Sequence, residues 1–226
     1  MGRYETPTAG GLLRRACEKH ADRPIATFDG QTLTYGDAWE RGGRLATALA
    51  DRGFGPGDHV GVMMSNQIEY LVANFACVRG GYVNVPMNDM LTPEEFSYML
   101  SDSGARVAIA GGNFIDTLSD LEPDLPELEL SVAVENPDGE QVTLDSLVEE
   151  AEGTCDVERG PADMLRLCYT GGTTGKPKGA RHTHGTLAMD MFAHVMALEI
   201  RDAEEVLVTT PLPHAAGYMH LGALTQ

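Results

Sequence analysis

Apolar runs of strand length alternate with segments of helical period along the first half of this chain, and that alternation limits its fold more than any other feature. Thr8 caps a helix running to about His20, Pro24 to Phe28 reads as a strand leading to a turn at Asp29-Gly30, and Thr32 to Tyr35 reads as a second strand. Trp39, Leu45 and Leu49 recur at helical spacing until Phe54-Gly55-Pro56-Gly57 breaks the helix. His59 to Met64 is a strand, Ile68 to Val78 a helix, and Tyr82 to Val85 a short strand stopped by Pro86. Thr92-Pro93-Glu94-Glu95 has a helix-start layout, with a cap, a first-turn proline and acids facing the positive end of the dipole; Arg106 to Ala110 returns to strand. Strands separated by helices of this length pair in parallel through crossover connections, so the predicted class is α/β, with mostly parallel sheets flanked by helices. In such sheets ligands sit beyond the carboxyl ends of strands, which singles out the loop after the apolar strand Met164 to Tyr169.

Charge narrows the partners. Over 226 residues, 34 acids against 16 bases give a net charge of −18, a balance that repels nucleic-acid polymers and anionic membranes. The acidity is local: the segment Asp116 to Asp163 holds sixteen acids and one base, Arg159. It reads as a solvated acidic face with connecting loops, or as a docking patch for a basic partner. No apolar run reaches the roughly 18 residues of a membrane span, and the first ten residues lack a signal-peptide layout. The four cysteines, Cys17, Cys77, Cys155 and Cys168, have no metal-like spacing and read as reduced thiols, so the expected location is the cytoplasm.

Only three residues are lysines, and two of them fall in Tyr169-Thr170-Gly171-Gly172-Thr173-Thr174-Gly175-Lys176-Pro177-Lys178-Gly179. Glycines let successive backbone N–H groups converge on one anion, threonine hydroxyls add donors, and lysines neutralise phosphate charge. From Met164 to Met189 there are four bases and no acids, a positive island in a negative chain. The spacing is not that of a Walker loop: three residues separate Gly171 from Gly175, and Pro177 follows Lys176 where Ser or Thr is required. A turn with incidental lysines is the bland alternative. Among the remaining residues, His182-Thr183-His184 at alternate strand positions lacks a third metal ligand, and no metal site is expected. Leu187, Met191, Val195 and Leu198 form a helical stripe read as core.

The stretch Tyr169 to Gly179 resembles the signature phosphate loop of the adenylate-forming superfamily, which includes acyl-CoA synthetases, the adenylation domains of peptide synthetases and oxidative luciferases. Gly171, where many members have Ser, is a variant similar to that of fatty-acyl-CoA ligases. The resemblance continues in Thr32-Leu33-Thr34-Tyr35, Gly57-Asp58-His59-Val60, Val85-Pro86-Met87-Asn88, Leu91-Thr92-Pro93-Glu94-Glu95, Pro161-Ala162-Asp163, Thr183-His184 and Pro211-Leu212-Pro213-His214-Ala215-Ala216-Gly217.

The resemblance implies an AMP-forming acid:thiol ligase using ATP, Mg²⁺ and coenzyme A, with an acyl-adenylate formed first and an acyl-CoA second, leaning toward fatty acids. It places Thr170, Gly171, Gly172, Thr173, Thr174, Gly175, Lys176 and Lys178 on the ATP phosphates, and His214 and Gly217 at the carboxylic-acid pocket. The later motifs of the superfamily, Tyr-Gly-x-Thr-Glu, Thr-Gly-Asp, the hinge and the C-terminal lysine, do not occur in the sequence. Residues 1–226 are therefore expected to form the incomplete N-terminal part of an acyl-CoA synthetase-like large domain, lacking the C-terminal domain and inactive alone, with a separate C-terminal half as a partner. The alternative is a non-catalytic remnant or polyphosphate-binding α/β module.

Overall fold

A computed structural model describes residues 6–112, 114–135, 141–172, 175–202, 204–214 and 224–225. Helix α1 (Ala9–Lys19) is capped by Thr8, whose hydroxyl accepts from the Gly11 N–H, and is followed by an antiparallel pair, β1 (Pro24–Phe28) and β2 (Gln31–Thr34). Helix α2 (Tyr35–Asp51) leads to β3 (His59–Met63), α3 (Ile68–Gly80), β4 (Val83–Met87), α4 (Pro93–Ser103) and β5 (Ala105–Ala110). Then come α5 (Phe114–Leu121), a 3-10 turn (Glu122–Asp124), β6 (Leu130–Ala133), α6 (Leu144–Glu150), β7 (Met164–Gly172), β8 (Gly175–Thr183) and α7 (His184–Ala197). Helix α4 starts with the expected device: Thr92 and Glu95 complete a reciprocal capping box over Pro93. Helix α3 stops at Gly81, whose left-handed φ of 71° turns the chain straight into β4.

The main sheet has six strands in the order β6-β5-β3-β4-β7-β8. The neighbouring strands from β6 to β7 pair in parallel, and β8 alone runs antiparallel, against β7. Because side chains alternate across a pleat, successive strand residues feed opposite layers. Val60, Val62, Val107 and Ile109 pack with α1, α2, α3 and α6, whereas Met63, Val85, Met87 and Ala110 pack with Phe96, Met99 and Leu100 of α4 and with α5. Both faces are covered, as a parallel sheet requires. Helices α1 and α7 meet at their starts, where the Gly10 N–H donates to His184 Nδ1 at 3.4 Å across 174 residues of sequence.

Three local expectations are corrected. Pro86 does not stop β4; it lies inside it, opposite Val62. The Val83 N–H points at Asp58 O, on the β3 side, so by alternation the position of Pro86 faces β7. There the ladder consists only of Asn84 with Arg166, and the missing donor breaks no bond to β3. His184 is the first residue of α7 rather than a strand residue, with Thr183 as its cap. The stripe on α7 is core only in its first half: Leu187 and Met191 are buried, while Leu198 is 50% exposed together with Met189, Phe192 and Met196.

The acid-rich segment is woven into this layered structure. Leu118, Leu125, Val132, Leu144 and Leu147 are buried, and the described acids between them are exposed. Several meet arginines from elsewhere: Glu129 with Arg106 at 2.7 Å, Asp145 with Arg41 at 2.9 Å, Asp156 with Arg14 at 3.5 Å, and Glu150 with Arg52. Exposed pairs of this kind are each worth about 1 kcal/mol or less. The buried leucines hold the segment in place, and the ion pairs set which way its charge faces.

Candidate functional site

The glycine-, threonine- and lysine-rich stretch does not lead from strand to helix. It forms the open end of the β7–β8 hairpin, whose register joins Leu167 to Arg181, Tyr169 to Gly179, Thr170 to Lys178 and Gly172 to Gly175. The compact apolar run Met164 to Tyr169 marks the strand, but an edge strand carrying glycine, proline and two lysines has no period that marks it. The register slips between Thr170 and Gly172, a bulge that bends the hairpin at Gly171. Since β7 runs parallel to β4, its open end lies beyond the carboxyl edge of the parallel sheet, where α/β folds hold ligands.

Thr170, Gly171, Lys176 and Lys178 are exposed on this hairpin. A β-carbon at Gly171 would meet nothing within 4 Å, so the backbone there is open to a large anion. Thr170 Oγ1 lies 3.5 Å from Lys178 O across the two strands. Lys176 Nζ is 4.9 Å from the ring centre of Tyr98 on α4. Thr173, Thr174 and Gly217 lie outside the described residues. Gly172 and Gly175 close the register at the tip.

Sequence reasoning missed what fixes the hairpin to the body. The Tyr169 hydroxyl donates to Asp102 Oδ2 at 2.7 Å, and the Tyr98 hydroxyl reaches Pro177 O at 3.1 Å and Asp102 Oδ1 at 3.3 Å. Burial first, then the adjacent Asp102 carboxylate, raises the phenol pKa of Tyr169, which keeps it a neutral donor. The available signal was the spacing of Tyr98 and Asp102, four residues apart and so on one helix face.

The second predicted element, Pro211 to His214, is placed by Asn66. Its Nδ2 donates to Thr210 O at 2.9 Å and its Oδ1 accepts from the Leu212 N–H at 2.7 Å. Asn66 follows β3 and the hairpin tip follows β7; both strands run parallel to β4, so both elements lie beyond the same edge of the sheet. His214 is exposed there, its N–H donating to Pro211 O at 3.0 Å. His182 and His184 join no metal-binding group, since no three potential ligands cluster among the described residues. The same observation bears on Mg²⁺. No group of three or more His, Cys, Asp or Glu side chains among the described residues offers it a ligand set.

An exposed, acid-free hairpin and a second anchored loop thus lie at one edge of a mostly parallel sheet in an α/β fold. The chain belongs to the AMP-binding enzyme family, which matches it over residues 13–226. Among curated relatives it is 35% identical over 191 residues to a feruloyl-CoA synthase of Amycolatopsis sp, covering 83% of this chain and 35% of that one. It is 31% identical over 191 residues to a long-chain-fatty-acid–CoA ligase of Mycobacterium tuberculosis, covering 81% of this chain and 36% of the relative. Among solved structures, a putative long-chain-fatty-acid CoA ligase from Rhodopseudomonas palustris superposes with a TM-score of 0.87 at 27% identity, over 96% of this chain and 55% of that one. The chain thus spans about a third of the length of these curated relatives. Among the described residues, no helix is long and apolar enough to cross a membrane.

Proposed function

We propose that residues 1–226 are the N-terminal part of the AMP-binding domain of an ATP-dependent carboxylic acid:CoA ligase, and that the β7–β8 hairpin holds the ATP phosphates. The observation that carries this reading is an acid-free hairpin bearing Thr170, Lys176 and Lys178 at the carboxyl edge of a parallel sheet, in a chain otherwise dominated by acids. In the ligase reaction a carboxylate oxygen attacks the α-phosphorus of ATP, pyrophosphate departs, and the thiol of coenzyme A then displaces AMP from the acyl-adenylate. The obstacle is electrostatic, because acid and triphosphate repel and charge builds on the phosphoryl oxygens. In this reading backbone N–H groups around Gly171, Gly172 and Gly175 turn toward the β- and γ-phosphates. The hydroxyls of Thr170, Thr173 and Thr174 donate to them, and Lys178 balances their charge. Mg²⁺ arrives with the nucleotide.

By the family resemblance His214 and Gly217 border the acyl pocket, and Asn66 anchors the backbone at Thr210 and Leu212, just before His214. The acid is of the fatty or aryl class, with the Gly171 variant favouring fatty acids. The rest of the domain and a C-terminal catalytic half supply the adenosine contacts and the thiol step. The 226-residue chain alone binds polyphosphate without completing ligation, and residues 116–163 serve as its outward acidic face.

Titration calorimetry with Mg·ATP and Mg·tripolyphosphate tests the reading. Both ligands bind the wild-type chain, and Lys178→Ala weakens them by roughly 10-fold, the scale of one charge-assisted contact. Absence of binding to the folded wild type sinks the proposal. ATP–pyrophosphate exchange with a panel of carboxylic acids separates a self-sufficient ligase, which exchanges, from the incomplete part proposed here, which does not.

A further inference from the structure

We propose that Tyr98, Asp102 and Tyr169 form a latch that holds the hairpin in its ligand-accepting position, and that Lys176 belongs to this latch rather than to the phosphate cradle. The proposal rests on the reading of the hairpin as the polyphosphate site. Its starting point is how little backbone holds the hairpin to the sheet. The ladder between β4 and β7 contains one pair, Asn84 with Arg166, and Pro86 presents no N–H where the next bond would form. Beyond Leu167 the register pairs among the described residues join the two hairpin strands to each other.

What remains beyond that point is a set of side-chain ties to α4. Tyr169 and Tyr98 meet edge to face, with centroids 6.3 Å apart and planes at 79°. The Tyr169 hydroxyl donates to Asp102 Oδ2, tying β7 to the helix, and the Tyr98 hydroxyl reaches the carbonyl of Pro177, tying β8 to the same turn. Pro177 cannot donate, and its free carbonyl on the outer strand is suited to this use. Lys176 lies with its ammonium over the Tyr98 ring, a cation–π contact that consumes the charge facing α4. Its neighbour two residues on, Lys178, is likewise exposed but pairs in register with Thr170. Two lysines close in sequence thus divide the work, one fastening the hairpin and one meeting the ligand. Tyr98, Asp102 and Tyr169 are positioning residues: they touch the hairpin, not the phosphates.

Hydrogen–deuterium exchange on the whole chain, together with titration of Mg·tripolyphosphate, tests this. Tyr169→Phe and Asp102→Ala should speed exchange in residues 167–172 and 175–181 by about 10-fold while β3, β4 and β5 keep their protection, because only a local opening is released. The same variants should bind tripolyphosphate roughly 3- to 10-fold more weakly. Asp102→Asn, whose amide oxygen still accepts from Tyr169, should recover most of both losses. Lys176→Met should speed hairpin exchange and weaken binding less than Lys178→Met does. If a variant also loses protection in β3 to β5, Tyr98→Phe, which keeps the ring and removes only the hydroxyl, decides in its place. Unchanged hairpin exchange in Tyr169→Phe, or Asp102→Asn behaving like Asp102→Ala, overturns the latch. A wild type that fails to bind tripolyphosphate overturns the functional reading instead, and the exchange data still decide the latch.

Discussion

Replacing Gly42 with alanine should destabilise the protein, against the usual preference of a helix for alanine. Gly42 lies on α2 where that helix meets α3. A β-carbon there would stand 2.5 Å from Phe75 Cβ, 3.0 Å from the Phe75 carbonyl carbon and 3.1 Å from Ala76 N. Carbon atoms in good contact sit about 3.5–4.0 Å apart. None of the three atoms is the free end of a side chain, so no rotamer change relieves the overlap, and the helices must part by about 1 Å. Overpacking of this kind costs about 1–3 kcal/mol. Separation also disturbs the edge contact of Trp39 with Phe75, whose centroids are 6.0 Å apart. Helix propensity opposes these terms by about 1 kcal/mol. The balance is a loss of up to about 2 kcal/mol, and with a urea slope of about 2 kcal/mol/M the unfolding midpoint should fall by up to about 1 M. Gly55→Ala serves as control, since a β-carbon there meets nothing within 4 Å. A Gly42→Ala midpoint at or above the wild-type value would mean that propensity wins, and would refute the close approach of α2 and α3.

Two further outcomes follow from the packing of α7. Burial lowers the His184 pKa to about 4 from an ordinary 6.5, so between these values the unfolded chain binds a proton that the folded one refuses. Stability from this group is complete above about pH 6.5 and falls as pH drops toward 4. His184→Asn, which retains an acceptor for the Gly10 N–H, should flatten that part of the profile by about 3 kcal/mol, and an unaltered slope in chemical unfolding from pH 7 to 4 would contradict it. On the outer half of the same helix, Met196→Lys with Leu198→Glu should change stability by less than about 0.5 kcal/mol yet lower the binding of a fluorescent hydrophobic dye; equal dye binding would show that this face is covered.

Much of the layered architecture was legible because it rests on local chemistry. Thr8 and Thr92 declared two helix starts through hydroxyls that accept N–H groups three residues on, and the runs His59 to Met64 and Arg106 to Ala110 declared buried strands. Pro86 misled because its cost depends on which neighbour its position faces, a property of the sheet order and not of the residue. The hairpin was legible as chemistry and illegible as structure: glycine, threonine and lysine announce an anion site, but nothing in their order tells a loop from an edge strand. The contact from Tyr169 to Asp102 spans 67 residues, and the anchoring of the His214 loop by Asn66 spans 146, so neither leaves a periodic trace. The outer half of α7 carries a core-like pattern without a core, because pattern records what a surface can bury and not whether a neighbour is present.

The contact between Gly10 and His184 also bears on how the protein is made. A chain leaving the ribosome at about 5–20 residues per second exposes α1 some 10–35 s before α7 exists to receive it. During that interval the sheet between them can assemble from β3, β4 and β5, whose pairings are nearer in sequence, but the layer that α1 and α7 share must wait. Residues such as Leu13, which lie in the same buried layer as Leu187 and Met191, reach their final burial only once α7 has been made.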